Sequence, residues 1–228
     1  MTLDVWSALQ LSLLVGLGAT AAGFGPALAL AWALARGDFR GKTLLSAVLM
    51  MPMVLPPVVT GLILLRLLGR SAPLGAALEA LGAPVSFSLL GAVVAALVVG
   101  FPLYVSTIRA ALEAVDPRYE EVARTLGLTP LRTFWTITLP LAAPGLAAGA
   151  VLAFARGLGE FGATAVIAGN MEGRTRTIAL AIYTLLDGPG DDPRLAQLAA
   201  FSVGTSLLAI AGHELLNRAL RRRLELHA

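Results

Sequence analysis

Of the 228 residues, 57% are hydrophobic and only 14% are charged, with a mean hydropathy of +0.80. Soluble domains have about 45–50% apolar and about 25% charged residues. This composition therefore excludes a water-soluble fold and predicts an all-α, polytopic transmembrane protein, with residues 1–228 as one domain. The absence of cysteine excludes disulfides and thiolate metal sites. The pI of 9.9 does not point to a nucleic-acid partner, because the cations fall in short loops between apolar segments rather than in a phosphate-tracking patch.

A bilayer core about 30 Å thick needs about 20 apolar residues in a helix. The first segment that qualifies runs from Leu9 to Ala35 without a charge, too long for a signal-peptide core and without basic residues ahead of it. Within it, Gly16, Ala19 and Gly23 form a small-residue stripe expected to let another helix approach closely. The second span is predicted from Thr43 to Leu68, and it contains the most broken stretch of any span. Pro52, Pro56 and Pro57 each lack an amide donor there, so the segment is either a kinked packing helix or a bend lining a pathway. The third span is predicted from Ser88 to Leu112.

A moderately polar loop follows, from about 113 to 140. Asp116-Pro117 reads as an N-cap and first helical position. Tyr119, Val122, Ala123 and Leu126 then recur at helical spacing, while Glu120, Glu121, Arg124 and Thr125 point the other way. Gly127 is placed to end this helix in the left-handed conformation, and Thr129-Pro130 starts the next.

The fourth span is predicted from Gly145 to Ala168, with Arg156 and Glu160 near its centre. Their i, i+4 spacing puts them on one helix face, where they can neutralise each other. They read either as a structural ion pair or as part of an anion path or gate, with Phe161 beside them. Arg174 and Arg176 follow on the opposite side of the membrane from the 113–140 loop, as loop charges or docking contacts. The fifth span runs from Leu195 to Leu216, and His213 beside Glu214 reads as an interfacial helix-end pair. With only His213 and His227 present, no His-Glu-x-x-His metal site can form, and no catalytic residue is assigned.

Lys and Arg accumulate in cytoplasmic loops. One set of loops carries Arg36, Arg40, Lys42, Arg109, Arg118, Arg124, Arg132, Arg218 and Arg221 to Arg223. The opposite set carries Arg66, Arg70, Arg174, Arg176 and Arg194, diluted by Glu79, Glu172, Asp187, Asp191 and Asp192. The bias is about two to one and predicts an outside N-terminus and a cytoplasmic C-terminus, as five spans require. Without a Gly-x-x-x-x-Gly-Lys-Ser/Thr loop, any ATP hydrolysis must come from another chain. A gradient-driven transporter or channel is the rival reading, but no internal repeat of the kind such folds carry is evident.

Glu121-Val122-Ala123, three residues, Gly127, nine residues, Ile137, one residue and Leu139-Pro140 resemble the "EAA" signature of bacterial ABC-importer permeases, with valine at the middle alanine. That resemblance implies a type I ABC-importer permease fold. It also makes the 113–140 loop the carrier of a coupling helix that docks into a groove of the ATP-hydrolysing subunit, with Glu120, Glu121, Val122, Ala123, Thr125, Leu126, Gly127 and Leu128 as the coupling residues. The run Arg156-Gly157-Leu158-Gly159-Glu160-Phe161-Gly162-Ala163-Thr164 resembles the permeases of molybdate-type importers, whereas sulfate permeases carry tyrosine and serine at Phe161 and Ala163. The stretches at Leu55, Phe101, Ile137 and Arg174 to Ile178 resemble the same group. The implied assembly is a homodimer with two ATP-binding subunits and an extracytoplasmic oxyanion-binding protein, in the cell membrane. It moves molybdate or tungstate, with ATP and magnesium held by the partner subunit and no cofactor on this chain. Pro52, Pro56, Pro57, Arg156, Glu160 and Phe161 are the pathway or gate candidates.

Overall fold

A computed structural model describes residues 4–188 and 192–225, so Asp191 and His227 lie outside the described residues. Among those described, the regular structure is helical throughout. Helix α1 spans Val5–Arg36, and its first turn is capped by Asp4, which accepts from the Trp6 amide at 3.0 Å. At 1.5 Å per residue it is about 48 Å long, more than enough to cross a bilayer. The small-residue stripe acts as expected. A Cβ added at Gly16 would lie 3.0 Å from the Phe154 ring, and one at Gly157 would lie 3.3 Å from the Gly16 Cα.

The second span is not a single helix. Helix α2 (Lys42–Val54) and helix α3 (Pro57–Leu68) meet at an angle of 111°. Leu55 and Pro56, each followed by proline, are both extended, because a proline ring sterically disfavours the helical conformation of the residue before it. Pro56 and Pro57 thus make the corner, whereas Pro52 sits inside α2 without ending it. A short helix, α4 (Pro73–Ala80), precedes α5 (Leu89–Glu113), which Ser88 caps by accepting from the Gly91 amide.

Beyond α5 come α6 (Pro117–Thr125) and a continuous helical run made of α7 (Pro130–Thr133), a π-helical stretch Phe134–Thr138 and α8 (Leu139–Leu158). The wide π turn directly precedes Pro140, whose ring in a regular helix would collide with the Thr136 carbonyl. The fourth span therefore needs correcting: the apolar helix covers Pro130–Leu158, and the predicted Gly145–Ala168 helix breaks at Gly159 to Phe161. Glycines at 157, 159 and 162 favour the break, since each costs about 1 kcal/mol relative to alanine inside a helix. The chain restarts as α9 (Gly162–Ile167).

Helices α3 and α9 cross backbone to backbone. A Cβ at Gly61 would fall 2.8 Å from the Ala163 Cα, and one at Gly162 would fall 2.9 Å from the Pro57 Cβ. Helices α10 (Ile178–Leu186) and α11 (Pro193–Glu225) complete the fold. Because α11 continues to Glu225, His213 and Glu214 lie within the helix rather than at its end, and Glu214 accepts from Arg218 at 2.8 Å. Among the described residues, four helices are long and apolar enough to cross a membrane, or five if the bent α2–α3 pair is one span.

Helix α5 is the central post, packed along α1 and α8. One apolar core gathers at its α6 end around Leu34, Tyr104, Ile108, Leu112 and Phe134. A second gathers at its other end around Val15, Ala92, Ala95, Ala163 and Ile167.

Candidate coupling and pathway elements

Helix α6 starts where Asp116 accepts from the Arg118 amide at 2.9 Å and Pro117 supplies a preset first turn. It ends at Gly127, whose φ of +85° lets the Leu128 amide reach back to the Ala123 carbonyl at 3.1 Å. Thr129 caps the next turn through the Arg132 amide. The chain therefore holds a helix, a tight turn and a second helix start, as its sequence predicts.

The faces of α6 differ from the predicted ones. Ala123 and Glu120 are the buried pair, whereas Tyr119, Val122 and Leu126 are 57%, 58% and 75% exposed. Three large apolar side chains thus face away from the bundle, with Glu121 and Thr125 exposed beside them and Leu128 half-buried. Glu120, predicted to share the polar face, is instead the anchor of the helix. Its carboxylate accepts from Arg36 Nε at 3.0 Å and from the Thr138 hydroxyl at 2.9 Å, with Arg124 at 3.6 Å. Arg36 also donates to the Val115 carbonyl at 3.0 Å. The last turn of α1, the start of α6 and the π turn are therefore tied at one carboxylate. Sequence reasoning missed Arg36 and Thr138, which stand 84 and 18 residues from Glu120 and share no local pattern with it.

The pathway candidates fall into two places. Pro52 lines an apolar cavity of about 280 Å³ between α1, α2 and α5, with Gly23, Pro26, Leu49 and Phe101. Pro56 and Pro57 lie at the α2–α3 corner, with Pro57 against Gly162. Beside Gly162, Arg156 and Glu160 pair at 2.9 Å, but not on one helix face as predicted, because α8 ends at Leu158 and Glu160 lies in the break. Glu160 is 2% exposed, and its second oxygen accepts from the Ala163 amide at 2.9 Å, so it caps α9 as well as neutralising Arg156. The Phe161 ring packs against that of Tyr183 of α10, with centroids 5.1 Å apart and planes tilted by 45°. Thr60 and Thr164, on the two crossing helices, bury hydroxyls with no hydrogen-bond partner among the described residues; Thr164 ends the run that begins at Arg156, whereas no sequence signal singled out Thr60.

The two arginines after α9 have different settings. Arg176 is held by Glu172 at 3.4 Å and by Asn170 at 2.8 Å, with only 11% of its side chain exposed. Arg174 is exposed. No group of three His, Asp or Glu among the described residues could hold a metal ion.

The binding-protein-dependent transport system inner membrane component family matches residues 25–222. The molybdenum transport system permease protein ModB of Escherichia coli (strain K12) is 47% identical over 219 residues, 96% of each chain. The sulfate transport system permease protein CysT of Salmonella typhimurium is 38% identical over 200 residues, 88% of this chain and 72% of CysT. The fold is also that of a solved bacterial alginate ABC transporter in complex with a pentasaccharide-bound periplasmic protein. The TM-score is 0.69 at 18% identity, covering 95% of this chain and 78% of that one. The family match, the nearly full-length relative and the shared fold agree, and the chain belongs to the binding-protein-dependent transport system inner membrane components, the permease subunits of ABC importers.

Proposed function

We propose that this chain is the permease subunit of a molybdate importer, with tungstate as an alternative cargo of the same geometry. The observation that carries the coupling half of this reading is α6, a short helix anchored on its inner side by Glu120 and presenting Tyr119, Val122 and Leu126 outward. An amphipathic helix seated in a groove is a common recognition mode, and a rigid one passes on motion that a flexible loop would absorb. Glu120, Glu121, Val122, Ala123, Thr125, Leu126, Gly127 and Leu128 form the element that a separate ATP-binding subunit grips. The cargo half is supported by the higher identity and fuller coverage with ModB than with CysT.

The chain itself carries out no catalysis and holds no cofactor; ATP and magnesium belong to the partner. Two copies form a homodimer with the pathway between them, in the cell membrane, with α6 and the C-terminus cytoplasmic and the N-terminus outside. Nucleotide-driven closure of the motor pair moves the two α6 helices and shifts the permease toward an outward-open state. There an extracytoplasmic binding protein delivers the anion. The shift requires the partners to bind the two states with different affinities. Arg156, Glu160, Phe161 and the proline corner lie where two half-helices cross, and we assign them to the pathway or gate.

The test is reconstitution in proteoliposomes with the cognate ATPase and binding protein. Labelled molybdate should enter only with ATP and the binding protein, and sulfate should compete weakly. Preferred uptake of sulfate would transfer the cargo to the CysT-like reading, and uptake by the chain alone, driven by an ion gradient, would overturn the importer reading.

A further inference from the structure

We infer that the apolar cavity between α1, α2 and α5 holds an acyl chain of an anionic phospholipid, whose headgroup sits at the α1–α2 turn. The inference needs the membrane-spanning fold alone and not the importer reading. Every residue that lines the cavity is apolar, Gly23, Val48, Leu49, Pro52, Val98 and Phe101 among them, and it encloses about 280 Å³. A dianion has no partner there, so Pro52 leaves the anion route. Water does not fill such a space either, because each molecule needs about two to four polar partners. The fitting occupant is hydrocarbon.

The two flanks of α2 show which side faces lipid. No residue of α2 is buried, and Leu45 and Leu49 hold it against the α6-side core. One flank borders a second cavity, of about 250 Å³, whose lining includes Ser46, Ser106, Arg109 and Glu113 and therefore suits water. Val48 stands two positions from Ser46, about 200° round the helix, and borders the apolar cavity instead. With Leu44 and Met51 it makes an exposed apolar stripe at i, i+4, i+7. That flank is suited to acyl chains, and the cavity is its recess.

Depth and charge agree on the source of the chain. Val48 and Pro52 lie about 9 and about 15 Å along α2 from Lys42, and one leaflet of the hydrocarbon core is about 15 Å deep. A lipid anchored beside Lys42 therefore reaches the whole cavity. Arg40 is exposed, Lys42 donates to the Gly37 carbonyl at 3.0 Å, and neither pairs with an acid among the described residues. Asp38 offsets one of these charges, and Arg36 adds none because Glu120 holds it, so one net positive charge remains at the turn. The first turn of α2 has no side-chain cap, which leaves amides for a phosphate. Trp32 and Phe39, both exposed at this end, are of the aromatic type enriched at a membrane–water boundary. A basic turn, open helix amides and an apolar recess one leaflet deep together suit an anionic phospholipid.

The experiment adds phosphatidylglycerol with a diazirine in its acyl chain to the purified transporter complex in detergent, irradiates it and maps the labelled peptides. Label should fall on the peptides that hold Val48 and Val98. Unlabelled phosphatidylglycerol should compete about fivefold better than phosphatidylcholine, the factor expected from one net charge. Val48→Trp fills the recess from an exposed position and should weaken phosphatidylglycerol binding about tenfold, whereas Leu44→Trp, on the same stripe outside the recess, should not. Arg40→Glu combined with Lys42→Glu should abolish the preference over phosphatidylcholine and keep the acyl label in place. Absence of label from both peptides overturns the proposal, and so does label that Val48→Trp leaves unchanged. Loss of the dimer in Val48→Trp, with no lipid label in the wild type, overturns it in favour of a second copy covering the recess. Loss of molybdate uptake in Val48→Trp with lipid labelling intact returns the cavity to the anion route.

Discussion

Glu120 and Glu160 are both buried glutamates paired with an arginine, yet they do different work. Glu160 is paired four residues away and mends a local defect: it caps α9 where α8 has stopped and cancels the charge of Arg156 at the same break. Glu120 is paired 84 residues away and joins α1, α6 and the π turn before α8. The comparison teaches that the same residue pair can stabilise a discontinuity or bolt separate helices into one lever, and only the sequence distance of the partner tells which.

Substitution should separate the two. Glu160→Leu leaves Arg156 unpaired and the amide of the buried Ala163 uncapped. The Arg156 side chain is 35% exposed and can reach water, so the cost is about 1.5–3 kcal/mol for the lost charge-assisted bonds plus about 1–3 kcal/mol for the buried amide left without an acceptor, read as a large fall in the unfolding midpoint in detergent. Glu160→Gln keeps an acceptor for the cap and should lose less. A Glu160→Leu protein as stable as wild type would erase the contrast.

Glu120→Ala should cost less stability, about 1.5–3 kcal/mol for lost charge-assisted hydrogen bonds, because it strands no buried backbone amide and Arg36 keeps its bond to the Val115 carbonyl. Its larger effect should be on transport per ATP hydrolysed in the reconstituted complex, with faster amide exchange across 117–126. Unchanged coupling with slack exchange would reduce Glu120 to packing alone. Gly127→Val tests the same lever from its other end. An added Cβ there meets nothing within 4 Å, so the cost is purely conformational, about 1–2 kcal/mol, and Gly127→Asn should be milder. The pair should rank in that order for coupling efficiency as well.

The smallest expected effect lies at neither glutamate. The side-chain hydrogen bond from Arg194, then its backbone amide, hold the Asp192 carboxyl below its ordinary value of 3.8. Because the folded value is depressed, this contribution is full above the ordinary value and is lost as pH falls through the lowered one. Asp192→Asn should therefore lose slightly less thermal stability than wild type between pH 7 and pH 3, and an identical pH dependence would remove the effect.

Composition and local pattern alone determined the helical membrane architecture, the five apolar runs, the caps at Asp116 and Thr129, and the left-handed stop at Gly127. Each follows from neighbours in the chain: apolar length against bilayer thickness, a proline without an amide, a glycine without a Cβ. The tertiary structure decided that Glu120 turns inward, that Arg36 meets it, that Arg176 is occupied while Arg174 is exposed, and that α8 stops short of Glu160. A buried charge is stable only where distant segments bring it a partner. A helix break is tolerated only where another backbone, here that of α3 at Gly61, packs against the restart. Neither condition is written within a few residues of the position it governs.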